Sequence, residues 1–465
     1  MNDSKKNKMV KNSKVKWLQE NGIELYINSF QPDVTVLELL QDDGAKKDSF
    51  KVCGRVMLKR DFKKAVFISL NQDFENVQVL IKPGNVDEDS WSLAINGIGV
   101  GDVIGISGNM GFSHSQELSV IASSLTLLSK SIRQWPEKHI GLKNIESIYR
   151  KRYLQLQADP RSIKLFQVRF KAISSMRRYL CDRGFIEVET PILHDVASGA
   201  IAEPFKTYHN KLDMNLFLRI SPELHLKKLQ VGGMGKVFEI NRSFRNEGIS
   251  VRHNSEFTMM ECYEAYRTCK DAMDTAEGII RNIMSDLNLE CEILNQSFRR
   301  VPMLKLTADF LHLKESDMRR RECLDEICQK HGLKDVPKSM GAMQEFIFEE
   351  LVSSNLKEPT FVTNYPEEGS PLAVAKDGFA DRAELYVNGM ELANMYSELN
   401  DPDKQMANFI NQSPEHADFS FVEALEYGMP PCTGLGIGID RLIMILTNSK
   451  CIRDVILFPA MKPKN

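Results

Sequence analysis

An α+β chain of more than one domain is what this sequence predicts, and three observations predict it. Five short runs of alternating apolar and polar residues between Phe50 and Leu128, divided by turn residues, read as a small β-barrel. Apolar residues at helical spacing (Ile173, Met176, Leu180) then run into Gly184 and an extended Phe185–Pro191, a helix stopped by glycine before a strand that ends in proline. Two further strand-like runs flank a polar loop within residues 244–263. At 465 residues and 42% hydrophobic content, the chain is long enough to bury more than one core.

In order along the chain, residues 1–45 form a basic, helical extension. Lys5, Lys6, Lys8, Lys11, Lys14 and Lys16 start it, but no apolar core follows, so it reads as a solvated or RNA-touching tail and not as a signal peptide. Residues 46–130 hold the five runs: Phe50–Val56, Ala65–Leu70, Val77–Ile81, Val103–Gly108 and Leu118–Leu128. Five such strands suit an OB-fold, whose exposed strand face commonly binds single-stranded nucleic acid. Residues 131–160 read as a linker, with Pro136, Gly141 and the basic run Tyr149–Tyr153. The second domain is expected over 161–465, with a helical insertion at about 268–355.

Several function classes drop out. No apolar run reaches membrane-spanning length. The nine cysteines are scattered and form no paired CxxC zinc pattern, so reduced, cytoplasmic thiols are expected. A net charge of −3 gives no overall basic footprint, which leaves nucleic-acid binding to local patches. Gly97-Ile98-Gly99-Val100-Gly101 lacks the strand, helix and distal acid of a dinucleotide fingerprint and reads as a turn, and no GxxxxGK[ST] phosphate loop occurs. His139-Ile140-Gly141 is half of a class I synthetase signature without its partner motifs.

The stretch from Phe244 to Tyr263 is the richest in chemistry. Strand side chains alternate faces, so Arg245 and Glu247 are expected to project together from the first run, and Phe257, Met259, Glu261 and Tyr263 from the second. Downstream, Glu384 and Glu391 flank Asn388-Gly389, a strong two-residue hairpin signal that brings both acids onto neighbouring strands. Before Arg441, glycines at alternate positions argue for close approach of backbone to a ligand.

Residues 244–263 resemble motif 2 of the class II aminoacyl-tRNA synthetases, in the form found in lysyl-tRNA synthetases of the bacterial type. Phe170–Leu193 resembles motif 1, and Gly434-Leu-Gly-Ile-Gly-Ile-Asp-Arg441 resembles motif 3. All three occur in order. The resemblance implies a class II catalytic domain, an antiparallel sheet flanked by helices, behind an OB-fold that reads the anticodon. It also implies lysine:tRNA ligase activity: L-lysine is activated with ATP and Mg²⁺, then transferred to tRNA(Lys) by a cytoplasmic homodimer whose contact is motif 1.

Carried over residue by residue, Arg245 would hold the amino-acid carboxylate and the α-phosphate together, its planar fork suiting two anions that otherwise repel. Phe257 and Arg441 would sandwich the adenine, with Glu247, His253 and Asn254 on the nucleotide and Glu384 and Glu391 on the metal. Arg219–Glu223 and Asn394–Asp401 resemble the family's lysine-pocket segments. Glu223 and Glu398 would flank the substrate ε-ammonium, joined by Tyr263, Asn394 and Tyr396, while Glu261 and Gly199 hold the α-amino group. Two buried acids facing one pocket repel unless a cation sits between them, so an uncharged amino acid would leave unpaired charge. Such sites reject analogues lacking the group by roughly 10⁴ to 10⁵. In the barrel, Arg60, Phe67, Gln78 and Glu117 fall at the family's anticodon-reading positions, although a strand Phe taken alone is an ordinary core residue.

The chain departs from the family's commonest pattern at Ser198, Ser221, Ser255, Ala393 and Met395. Ser221 and Ala393 border the expected substrate pocket, where one methyl or hydroxyl shifts selectivity by roughly 1 to 3 kcal/mol. Two other readings stand beside the ligase: a paralogue using a lysine-like substrate or a non-tRNA acceptor, and a noncatalytic RNA-binding relative.

Overall fold

The computed structural model describes residues 13–41, 49–135, 144–197, 202–412 and 417–463. The basic start as far as Lys11, the linker residues Pro136 and His139–Gly141, and Ser198 and Gly199 lie outside them. The chain divides into two compact units, 1–163 and 164–465.

The first unit is built on a closed barrel of β1 (Phe50–Phe62), β2 (Ala65–Gln72), β3 (Glu75–Ile81), β4 (Val103–Phe112) and β5 (Leu118–Ser129), in the order β1-β2-β3-β5-β4. Strict alternation drives it: Val66, Ile68 and Leu70 of β2 and Val77 and Val79 of β3 point inward and are buried, while the residues between them face out. Closure lets β1 pair with β4 over Phe50–Arg55 and with β2 beyond, with a bulge at Met57 easing the bend. The glycine run ends in the expected turn, Gly101 adopting φ +95° and Asp102 accepting from Gly99 N at 2.7 Å. The described part of the linker is less solvated than its charge suggests. Two short helices, Ile145–Arg150 and Arg152–Ala158, bury Tyr149 and Arg152, with the guanidinium over the phenol ring at 5.4 Å.

The second unit is organised around a sheet in the order β12-β13-β15-β16-β17-β11-β10-β6. Its strands are β6 (Ile186–Glu187), β10 (Lys236–Phe244), β11 (Glu256–Ala265), β12 (Arg299–Pro302), β13 (Thr360–Pro366), β15 (Phe379–Val387), β16 (Met390–Ser397) and β17 (Cys432–Gly438), with the short β14 (Ala375–Lys376) on β15. A separate small sheet holds β7 (Leu193–His194), β8 (Lys206–His209) and β9 (Met214–Leu218). The large sheet is antiparallel through its centre, as expected, but its edge strands β6 and β12 pair in parallel. One face is covered by α1 (Pro160–Asp182), α3 (Cys269–Asp286) and α4 (Ile439–Leu446), whose apolar stripes meet Met260, Cys262, Ala393, Met395, Leu435 and Ile437 in the main core. The other face, with α2 (Glu223–Val231) beside it, carries the cavity described below.

The expected insertion at 268–355 divides in two. Its first helix, α3, is part of the sheet's own core, burying Ala276, Ile279, Ile280 and Ile283 there. Residues 303–352 form a second cluster, in which Leu304, Leu324, Ile347 and Phe348 pack against Val362 and Tyr386 of the sheet.

Candidate active site

A cavity of about 850 Å³ lies over the centre of the sheet. Its floor is β17, and the alternation expected before Arg441 explains why. Gly434, Gly436 and Gly438 stand directly opposite Tyr263, Glu261 and Met259 of β11, and Gly434 and Gly436 face Tyr396 and Asn394 of β16 on the other side. Opposed residues share a face, so a strip without side chains runs between two strips of functional ones. A Cβ at Gly434 would come within 2.1 Å of Glu398 Oε1 and 2.6 Å of Tyr263 Cε1.

A bulge in β16 decides which side chains reach this face. The Asn388-Gly389 turn forms as expected, with φ +52° and +68° at its two residues, and pairs Tyr386 with Glu391. Beyond that pair the register slips, so that Leu385 opposes Ala393 and Glu384 opposes Asn394. Leu392 is therefore the extra residue. It turns Asn394, Tyr396 and Glu398 to the cavity side shared by Glu391, whereas unbroken alternation from Glu391 would send them into the core.

At the arginine end, the expected strand position of Arg245 and Glu247 is corrected. β10 stops at Phe244, and both residues lie in the loop 245–255, tied back by Arg245 N donating to Ser255 O at 2.9 Å. A polar 245–255 stretch has no sheet face to bury, which is why the ladder ends there. The Arg245 guanidinium stacks over Phe257 at 5.2 Å, and its buried Nε has no hydrogen-bond partner among the described residues. Glu247 is exposed at the cavity mouth. Arg441, in the first turn of α4, reaches Glu391 O at 2.7 Å, Glu391 Oε2 at 3.1 Å and His253 Nε2 at 3.0 Å. Burial, then Arg441, lower the His253 pKa, so its neutral ring accepts from Arg441 at Nε2 and meets Ser250 Oγ at Nδ1. Asn254 donates to Glu256 O at 2.7 Å, and its buried Oδ1 has no hydrogen-bond partner among the described residues.

Glu384 and Glu391 do face one cavity, but both are already engaged. Glu384 accepts from Tyr365 and Tyr386 at 2.8 Å each and pairs with Arg382. Burial alone would raise the Glu391 carboxyl, yet Arg441 outweighs it, with help from Arg245 and Arg382, and holds its pKa below the usual range. Among the described residues no three metal-ligating side chains gather.

At the other end, Glu223 on α2, Glu261 and Tyr263 on β11 and Tyr396 and Glu398 around β16 converge. Glu261 accepts from Ser221 Oγ at 2.9 Å and Tyr263 OH at 3.1 Å; burial, then the Glu223 charge, push its pKa up to about 8. Tyr396 OH donates to Glu223 Oε1 at 2.5 Å. The expectation that only a substrate cation would stand between Glu223 and Glu398 is corrected: Lys227 Nζ lies 2.7 Å from Glu223 Oε1 and forms an ion pair with Glu398 Oε2. Even so, neither Glu398 oxygen receives a hydrogen bond of normal geometry among the described residues. Burial, followed by the Glu223 charge and opposed by Lys227, raises the Glu398 pKa well above normal. Buried polar atoms are ordinarily paired, so the atoms of Arg245, Asn254 and Asn394, and Glu398 Oε1, that lack a partner among the described residues around one cavity mark it as built for a polar ligand.

Sequence reasoning missed the supports. Arg169 donates to Asp440 at 2.6 Å and to Thr258 Oγ1 at 3.0 Å, while Asp440 accepts from Thr258 N at 2.7 Å, pinning the start of α4, and so Arg441, to β11. Arg219 pairs with Glu239 at 2.7 Å and with Arg242 O at 2.8 Å, fixing the segment that leads into Glu223. Adjacent polar residues gave no signal that these pairs are buried.

In the barrel, Arg60 opposes Phe67, and Gln78 opposes Ser69, which puts Arg60, Phe67 and Gln78 on one outward face. Phe67 sits between the buried Val66 and Ile68 and is therefore not core. Gln78 donates to Ser119 Oγ, which donates to Glu117 O, both at 2.9 Å, so the exposed Glu117 is moored at the end of the same face. Phe62, which the sequence reading passed over, stands edge-on to Phe67 with centroids 5.7 Å apart.

Residues 144–462 match the family of tRNA synthetases class II (D, K and N), and residues 50–128 match the OB-fold nucleic acid binding domain. A lysine–tRNA ligase of Fusobacterium nucleatum is 40% identical over 474 residues, covering 97% of this chain and 96% of its own. One of Listeria monocytogenes is 41% identical, covering 98% and 97%, and one of Xanthomonas oryzae 44%, covering 89% and 86%. The chain belongs to the class II tRNA synthetases and, within them, to the lysine–tRNA ligase family.

Proposed function

We propose that the protein is an ATP-dependent lysine:tRNA ligase that forms lysyl-adenylate and passes the lysyl group to the 3′ end of tRNA(Lys). One observation carries this reading: a single cavity joins Arg245, Phe257 and Arg441 to the buried acids Glu223, Glu261 and Glu398. The first step places a substrate carboxylate oxygen on the α-phosphorus of ATP, and pyrophosphate leaves. Charge builds on phosphoryl oxygens as it proceeds, and a guanidinium with an unpaired buried N–H is suited to meet it. Phe257 offers its ring to the adenine, and Arg441, held flat by Glu391 and His253, offers the opposing plane. Glu247, His253 and Asn254 complete the nucleotide end, Asn254 through its free Oδ1. In the second step the terminal tRNA hydroxyl attacks the lysyl carbonyl and AMP leaves.

The donor set fits a Mg²⁺ that arrives on the triphosphate, which needs only one or two carboxylates from the protein. Glu384 and Glu391 would hold it, and it would supply charge neutralisation at the phosphates. Their ties to Arg382, Tyr365, Tyr386 and Arg441 orient both carboxylates toward the cavity.

Glu261 takes the α-amino group, with Gly199 from the segment outside the described residues. Glu223 and Glu398 accept the ε-ammonium, with Tyr263, Asn394 and Tyr396 shaping the tube. The outward face of the barrel takes the anticodon, Phe67 stacking a base while Arg60, Gln78 and Glu117 hydrogen-bond. A cytoplasmic homodimer is the expected form. Phe170, Ile186, Ile192 and Leu193, at or beside motif 1, are 45 to 53% exposed in the single chain, a concentration of apolar surface that a partner copy would cover. Among the described residues no helix is long and apolar enough to cross a membrane.

The test is exchange of labelled pyrophosphate into ATP across the twenty standard amino acids. Lysine should support it; folded protein that shows no lysine-dependent exchange would reject the proposal.

A further inference from the structure

Lys227 has no part in the steps above. It sits one helical turn after Glu223 on α2, is wholly buried, and lies between the rings of Tyr396 and Phe421 at 5.5 and 5.8 Å. Glu223 and Glu398 line the cavity and Lys227 does not, so its ammonium stands behind the two carboxylates. Burial works against that charge, but Glu223 and Glu398 outweigh it and keep the group protonated.

We infer that Lys227 is a positioning and specificity residue for the amino-acid side chain: its ammonium clamps Glu223 and Glu398 into one two-pronged acceptor that, once both are ionised around an entering ammonium, has a single negative charge left for that one further cation. The inference rests on the reading of this cavity as a lysine site. Two carboxylates facing each other without a cation share a proton or turn apart, and a carboxyl that keeps its proton donates where the substrate ammonium needs an acceptor. With Lys227 behind them and a second ammonium in front, Glu398 can give up the proton that burial favours in the empty pocket, and both carboxylates accept toward the cavity. Aromatic rings on two sides and complete burial hold Lys227 in place, so the substrate adds to this cation and does not displace it.

A structural ion pair that merely docks α2 would look similar, and kinetics separate the two. Pyrophosphate exchange is measured per titrated active site for the wild type, Lys227→Met, Glu398→Gln and the double variant. Loss of the clamp is expected to raise KM for lysine at least about 30-fold in Lys227→Met, with KM for ATP within about twofold and kcat within about fivefold. In the double variant one carboxylate and no ammonium remain, restoring the single negative charge. It should therefore bind lysine more tightly than Glu398→Gln alone, a departure from additivity that a docking role does not produce. Should Lys227→Met fail to fold, the double variant, from which both buried charges are removed together, still carries that comparison. An unchanged KM for lysine in Lys227→Met, or losses that simply compound in the double variant, overturns the inference. Absence of lysine-dependent exchange in the wild type instead overturns the functional reading beneath it.

Discussion

Glu261 shows what the pocket demands of a single residue. With its pKa near 8, the carboxyl holds a proton in the empty protein at neutral pH, and accepting a substrate α-ammonium means giving that proton up. Because the folded value lies above the ordinary 4.5, the native state binds the proton more tightly than the unfolded chain does. The resulting stability is full below about 4.5 and is lost as pH rises, the loss being complete near 8. Thermal melts from pH 5 to 8 should show the ligand-free wild type declining relative to Glu261→Gln; parallel curves would contradict the assigned burial and charge. The acids themselves were legible in the sequence because the motifs name them. Lys227 was not: Glu at i and Lys at i+4 is an ordinary exposed helix pair, and only the packing of Tyr396 and Phe421 around it reveals a buried one.

At the scale of elements, local chemistry was readable and tertiary adjustment was not. The Asn388-Gly389 hairpin and the five barrel strands follow from turn residues and alternation alone, and both appear where expected. The Leu392 bulge has no local signature, since it arises where Leu392 and Ala393 both enter the main core and force the following residues over. A hint was available all the same: Glu391 and Glu398 differ in parity, and both cannot serve one face of an unbroken strand. Helix α3 was misplaced for a similar reason, its mixed charge masking a stripe of small and branched residues that completes the sheet's core. The glycine-floored β17 supports a direct prediction. Gly434→Ala puts a methyl against Glu398 and Tyr263, so KM for lysine should rise by about tenfold or more while KM for ATP changes little, an overpacking cost of about 1–3 kcal/mol confined to one end of the cavity. Equal losses for both substrates would show that the strand itself had been disturbed.

Across the whole molecule, the chain divides into two compact units, each with its own core, and the proposed reading gives activation to the second and anticodon binding to the first. Variants of the barrel face should therefore affect only the second half of the reaction. Replacing Phe67 or Phe62 with Ala should weaken tRNA charging by about 1–3 kcal/mol per stacked base and leave pyrophosphate exchange intact; a matching fall in exchange would argue that these rings hold the fold and not an RNA. The basic extension and the Gly199 segment contribute to neither prediction. In the proposed reading, the cavity of the second unit takes one nucleotide at its arginine end and one cation at its acidic end. The most direct measurement is kcat/KM in pyrophosphate exchange for lysine against norleucine, which keeps the four-carbon chain and lacks the ε-ammonium. Selection by Glu223 and Glu398 predicts a preference for lysine of roughly 10⁴ or more, and norleucine activated within about tenfold of lysine would contradict it.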